Sequence, residues 1–292
     1  MKKIRCAIGL VLFSMIFSTL SVAQEKELSV NPNSVYPILN HDIMFKKRVW
    51  RRMDLKEKKN RPFFAFNNEI TKIVIEAVQS GILHPYMNDS LKTRMSKEEF
   101  LERLKVPDLG GELTDEEKAL GFGEDEEDDW GDDDWGDEGA DASASSDEGG
   151  SDYFFPQDVS VLEISEDVIF DKKRSRLYYD IQSITLILPA ENFASTTGLR
   201  KEVGTFKYID LVALFRSMPQ EAIWFNPQNS HEHKNLADAF TLRLFDARIT
   251  KIANPENLEI VDIYSKSPKE AIMASQRLEH QLMEMEHNLW DF

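Results

Sequence analysis

The stretch EDEEDDWGDDDWGDEGADASASSDEGG, residues 124–150, decides how the rest of the chain is read. It lies in a run from Asp108 to Asp152 that holds 20 acids and one base, Lys118, a net charge of −19. Aliphatic side chains nearly vanish there, while Gly and Ser rise. Such a stretch buries too little apolar surface to offset the entropy of ordering it, and its charges repel. The run predicts a disordered acidic linker over 108–152. It separates a mostly helical N-terminal region, 24–107, from an α+β domain, 153–292. The pentapeptide DDWGD occurs twice in tandem from Asp128 to Asp137 and places Trp130 and Trp135 among the acids. These two are candidate anchors for a groove on a partner, since Trp supplies large contact area. The competing reading is a solvated spacer. No window carries the acid, Gly and Glu spacing of an EF-hand, so diffuse cation binding is the most these acids imply.

Residues 1–23 have the pattern of a secretory signal. Lys2, Lys3 and Arg5 precede a mainly apolar run of 15 residues, Cys6 to Leu20, and Ser21-Val22-Ala23 offers small residues before a cut between Ala23 and Gln24. The apolar run is shorter than the roughly 20 residues a membrane span needs; an uncleaved anchor is the alternative. Cys6 is the only cysteine, so the processed chain has neither disulfide nor thiolate chemistry. Of the whole-chain charge of −17, the acidic run carries more than all, and the two flanking parts together are close to neutral. That excludes a basic stripe for nucleic acid. No further apolar stretch is long enough to cross a bilayer.

Three helices are expected before the acidic run. The first starts after Asp42, with Phe45, Val49 and Met53 at i, i+4 and i+8 beside Trp50, and with Lys46, Lys47, Arg48, Arg51 and Arg52 on the opposite face. That basic face is either solvated or set against acidic lipid or the acidic run. The second carries Ile70, Ile73, Val74, Ala77 and Val78 inward and ends at Gly81, a residue suited to positive φ. The third opens with the capping box Ser96-Lys97-Glu98-Glu99 and turns Phe100, Leu101 and Leu104 inward.

After the run, Val159, Val161 and Val168 to Phe170 read as strands. Leu177, Tyr179 and Ile181 alternate on odd positions, then Ile184, Leu186 and Leu188 on even ones, which predicts a bulge or two strands near Gln182-Ser183. Asn192 to Gly204 reads as a polar loop and Asp210 onward as a helix. Ala222 to Phe225 reads as a strand, Leu236 to Ala247 as a helix and LEIVDIY, Leu258 to Tyr264, as a strand. Ser267-Pro268 opens a last helix with Ile272, Leu278, Leu282, Met285 and Leu289 in its stripe. The fold class is α+β.

The chain shows no nucleophile elbow, phosphate-cradling loop, dinucleotide fingerprint or zinc signature, so no catalytic, cofactor or metal residue is assigned. His231 and His233 point to different faces of any helix and lack a second ligand set. A carboxylate pair for glycoside cleavage is open to so acidic a chain, but no local spacing singles one out. Phe292 ends the chain as in many outer-membrane barrels; the residues before it have helical rather than alternating period, which argues against a barrel strand.

Four stretches in order carry a resemblance: FKKRVWRRMDLKEKKNRPFF (45–64), FDKKRSRLYYDIQSITLI (170–187), GTFKYIDLVALFRSMPQEAIWFNPQNSHEHKNLADAF (204–240) and SPKEAIMASQRLEHQLMEMEHNLWDF (267–292). They resemble the gliding-motility GldN family, called PorN in its secretion-only relatives. The resemblance implies a non-enzymatic periplasmic core component of the type IX secretion system. It implies a ring with the outer-membrane lipoprotein GldK (PorK), in contact with the GldL–GldM motor, in which this chain is a homo-oligomer within a hetero-oligomer. It implies no cofactor and no catalytic residues, and the DDWGD repeat departs from the family pattern. Trp224, Phe225, Trp290 and Phe292 are the candidate subunit contacts, against the alternative that each packs in a core. Two rival functions stand beside this one: a periplasmic hydrolase using a carboxylate pair, and an acidic calcium-binding envelope protein.

Overall fold

The computed structural model describes residues 30–106, 153–190 and 200–290. In chain order the elements are strand β1 (Ile43–Asp54), the short strands β2 (Phe64–Ala65) and β3 (Asn68–Glu69), helices α1 (Ile70–Gln79) and α2 (Lys97–Leu104), strands β4 (Val161–Asp171), β5 (Arg176–Leu188) and β6 (Lys201–Lys207), helix α3 (Tyr208–Ser217), the short strands β7 (Ile223–Trp224) and β8 (Lys234–Asn235), helix α4 (Leu236–Thr241), strand β9 (Arg248–Ile252), and helices α5 (Ile260–Ile263) and α6 (Pro268–Trp290). The fold is α+β, as expected. No described helix is long and apolar enough to cross a membrane.

An antiparallel five-stranded sheet in the order β6-β5-β4-β1-β9 organises the molecule. The helix expected after Asp42 is therefore corrected: Ile43–Asp54 is an interior strand with partners on both edges. Both of its faces are covered in its second half. Val49 and Met53 are fully buried on one face, and Trp50 is buried on the other. There the Trp50 indole donates to Asp89 Oδ2 at 2.8 Å, and the Lys251 ammonium lies 4.4 Å from the ring centre. The segments before and after residues 107–152 thus build one sheet, and buried side chains from both, among them Met53, Phe63, Phe100, Leu162 and Phe206, form one apolar cluster. Lys105 and Tyr153 form an isolated antiparallel bridge, so Tyr153 lies beside the end of α2.

The expected irregularity near Gln182 is a bulge in one continuous strand. Ser183 pairs with Ser165 and Ile181 with Glu166, leaving Gln182 without an opposite number. Its amide is used elsewhere: Nε2 donates to Asp180 Oδ2 at 2.6 Å, and Oε1 accepts from Asn31 at 2.7 Å. The polar-loop expectation is corrected at its end, where Lys201–Lys207 is strand β6.

Local signals hold where they were strongest. Gly81 takes φ +76° just past α1, and the Ile82 and Gly81 amides donate to the Ala77 and Val78 carbonyls at 3.0 Å each. This closes the helix with the two bonds of a Schellman motif. Ser96 Oγ accepts from the Glu99 amide at 3.1 Å and caps α2. LEIVDIY is corrected from strand to the single helical turn α5, because Glu259 and Asp262 cap each other's backbone amides across Ile260 and Val261. On α6, Ala271, Ala274, Ser275 and Leu282 are buried, whereas Ile272, expected in the same stripe, faces solvent.

Candidate functional site

The sheet's arginines are not a solvated face. Regular alternation puts Val49, Arg51 and Met53 on one side of β1, opposite Glu166, Ile164 and Leu162 of β4. Met53, Leu162 and Ile164 belong to the large apolar cluster, Val49 and Val168 to a smaller one under α6. Arg51 and Glu166 lie between the two. Arg51 Nε donates to Glu166 Oε1 at 2.6 Å, and its Nη1 donates to Glu279 Oε1 of α6 at 2.7 Å and to the Ala247 carbonyl at 3.3 Å. Arg243, held at φ +52°, donates to Glu166 Oε2 at 2.7 Å and stacks 4.4 Å over the Tyr179 ring. Burial disfavours the Arg51 charge, but Glu166 and Glu279 together more than offset this and raise its pKa. On the opposite side, Arg48 grips both Asp167 oxygens at 2.8 and 3.0 Å and Lys46 adds a third contact at 3.0 Å. These groups hold strands and a helix together; every buried carboxylate among them is bound to a cation.

A cavity of 610 Å³ opens between residues 35–38 and the outer part of β5, with Tyr36, Tyr178, Asp180, Tyr208 and Arg243 in its wall. Burial raises the Asp180 pKa, with Gln182 and Ser34 opposing. Burial pushes the Tyr208 hydroxyl up to about 12, with the Thr241 hydroxyl opposing. Asp180 is the single carboxylate among the described residues of this wall. The paired geometry that glycoside cleavage requires is not assembled there.

Two exposed apolar surfaces stand out among the described residues. One is a groove of 990 Å³ floored by Phe64, Phe66 and Phe225 and bordered by Lys56, Lys58 and Arg61. Phe66 is 80% exposed and Phe225 46%. Asn67, at φ +66°, turns β2 into β3 and turns Phe66 outward at the tip of this hairpin. The Phe225 amide donates to the Pro62 carbonyl at 3.0 Å, which fixes the far wall. The other surface runs over α5 and α6, where Val261, Ile263, Ile272, Met273 and Met283 are each about half exposed. A cleft of 290 Å³ between these helices is lined by Leu258, Ile263 and Leu278.

The residues singled out in the sequence separate on these surfaces. Trp224 is half-buried against Phe63, edge to face at 6.5 Å, and its indole N–H is buried without a hydrogen-bond partner among the described residues. Phe225 lies in the groove wall and stacks on His233 at 4.8 Å. His233 Nδ1 accepts from the Asn226 amide at 3.1 Å; His231 is exposed, and no group of three or more metal-ligating side chains occurs among the described residues. Trp130, Trp135, Phe292, Ala23 and Gln24 lie outside the described residues, as does the Trp290 side chain. The sequence reading notes Phe63, Phe64 and Phe66 as an aromatic run but misses the groove and its basic border. The signal is present in KEKKNRPFFAFNN, where four bases are set directly against three phenylalanines.

A family model described as "Gliding motility associated protein GldN" matches residues 38–291, the whole span from β1 to the end of α6. A comparison with curated proteins finds no match.

Proposed function

Since the chain belongs to the gliding-motility-associated GldN family, and is thereby a component of the gliding-motility machinery, we propose that it acts there as a non-enzymatic structural subunit of the type IX secretion apparatus. It sits in the periplasm and forms a ring with a GldK-like outer-membrane lipoprotein. The family match carries this reading. The half-exposed side chains of α5 and α6 support it, because an apolar surface of this kind on a folded chain marks a contact with another protein. A ring requires head-to-tail contacts between unlike patches. The α5–α6 surface is one such patch, and subunit closure through it accounts for methionines and isoleucines left in water.

The test is deletion of the chain from its host with restoration by the full-length sequence. Export of proteins across the outer membrane stops in the deletion and returns on restoration. Purification from solubilised envelopes yields a large ring that contains a lipoprotein. Undiminished export in the deletion, or a lone monomer from the envelope, overturns the reading.

A further inference from the structure

We propose that the groove bordered by Lys56, Lys58 and Arg61 is the docking site for the chain's own DDWGD repeat, one copy at a time, within the same molecule. Four observations lead there. First, the groove pairs an aromatic floor with a cationic border. Phe66 and Phe225 are open to solvent, and Lys56, Lys58 and Arg61 make no ion pair among the described residues. Such a site selects an aromatic side chain flanked by acids, because indole stacks on phenylalanine and accepts cation–π contact from lysine and arginine while carboxylates meet the same cations.

Second, the sequence contains that ligand twice. Trp130 and Trp135 each have two aspartates immediately before them and an aspartate two positions after, within a run whose net charge is −19. The flanking folded parts are close to neutral, so the border of this groove is a local concentration of positive charge. Third, the attachment point is close. Gln157 Nε2 donates to Glu69 Oε1 at 3.1 Å, and Thr71 Oγ1 donates to the Pro156 carbonyl at 2.8 Å. Glu69 follows Asn68, which lines the groove. Residues 156–157 thus pass beside Glu69, at the base of the β2–β3 hairpin that presents Phe66.

Fourth, the reach is sufficient. Trp135 precedes Gln157 by 22 positions. A chain of that length extends to at most ~70 Å, and as a coil spans roughly 26 Å. Tethering at this length gives the repeat an effective concentration on the order of millimolar at its own groove, which favours the same molecule over a neighbour. The tandem copies double the chance of capture without enlarging the site.

The experiment is fluorine NMR of the full processed chain labelled with 5-fluorotryptophan, with Trp130→Phe and Trp135→Phe used to assign the two repeat resonances. In the unaltered protein at low salt, both are displaced from the free-indole position, and tenfold dilution leaves them unchanged. Each returns to the free position in Phe66→Ser, in the triple variant Lys56→Glu, Lys58→Glu, Arg61→Glu, and in 1 M salt, where the Debye length is about 3 Å. Circular dichroism of the variants matches the parent, because all four altered side chains are exposed. Resonances at the free position in the parent overturn the proposal. A displacement that fades on dilution also overturns it, by assigning the repeat to a second copy. A displacement that survives the groove variants places the repeat elsewhere. None of these outcomes depends on ring formation, so the proposal stands or falls separately from the assembly reading.

Discussion

Arg51 and Glu166 lie 115 positions apart in the chain and meet inside the sheet at 2.6 Å, guanidinium Nε to carboxylate Oε1. The carboxylate is fully buried and the guanidinium nearly so. An ion pair so placed is costly to half-remove, since the surviving charge has no water to replace its partner. Glu166→Leu, which takes the shared acceptor from both Arg51 and Arg243, is expected to cost about 3–5 kcal/mol of unfolding free energy, and Arg51→Met less, because Glu166 keeps Arg243. The double replacement restores much of the loss, and urea titration of the three variants against the parent measures the coupling directly.

The acid side of the stability curve depends on Asp167 and Asp180 with opposite signs. Burial alone would raise Asp167, but the bonds from Arg48 and Lys46 hold its pKa below the usual carboxylate range. Its contribution is complete above its unfolded pKa, near 3.8, and is lost as pH falls through the lower folded value. Asp180 is raised, chiefly by burial, so its contribution is complete below its unfolded pKa and is lost as pH rises through the folded value. Asp167→Asn therefore lowers stability at pH 7 and flattens the fall toward pH 2. Asp180→Asn raises stability at pH 7 and leaves it unchanged near pH 3. Denaturant midpoints measured across this range check both.

Two glycines are sensitive for different reasons. A Cβ on Gly204 would stand 3.0 Å from Cδ2 and Cε2 of Phe100, whose ring is fully buried and has nowhere to yield. Gly204→Ala is expected to cost about 1–3 kcal/mol as overpacking, most of it recovered by adding Phe100→Leu. A Cβ on Gly81 would meet nothing within 4 Å, so only the φ of +76° resists it. Gly81→Ala then costs about 1 kcal/mol, and no second-site change recovers it. Thermal unfolding of the three variants separates the mechanisms.

The α5–α6 surface is tested without disturbing the fold. Ile272→Asp and Met283→Asp alter side chains that are 45% and 54% exposed. Unfolding midpoints should change little, within ±0.5 kcal/mol as for ordinary surface changes. Under the proposed assembly, co-elution with the lipoprotein partner should fall sharply, and native mass measurement of the eluate reads the loss.

The residues that misled the sequence reading explain why. Phe45, Val49 and Met53 recur every four positions, and four is a multiple of the strand period as well as close to the helical one, so their stripe fits both. Only the partners of Arg48 and Arg51 distinguish strand from helix, and those acids lie beyond the acidic run, where no local spacing reveals them. LEIVDIY alternates well enough to look like a strand, but its backbone follows the reciprocal caps of Glu259 and Asp262. Gly81, Ser96 and the bulge at Gln182 were legible because each signal sits within a few residues of the structure it dictates. The groove was only half legible. Phe225 was singled out, but Phe66 became a surface residue through a hairpin turn at Asn67 that propensity alone does not specify.

An interior strand made from residues 43–54 has a consequence for timing. On the ribosome, β1 emerges first, yet its edges are satisfied only by residues 161–171 and 248–252. At about 5–20 residues per second, the first partner follows roughly ten seconds later and the second roughly ten more. No shorter N-terminal fragment closes this sheet. A nascent chain of this design stays unlocked until residues 248–252 have been made.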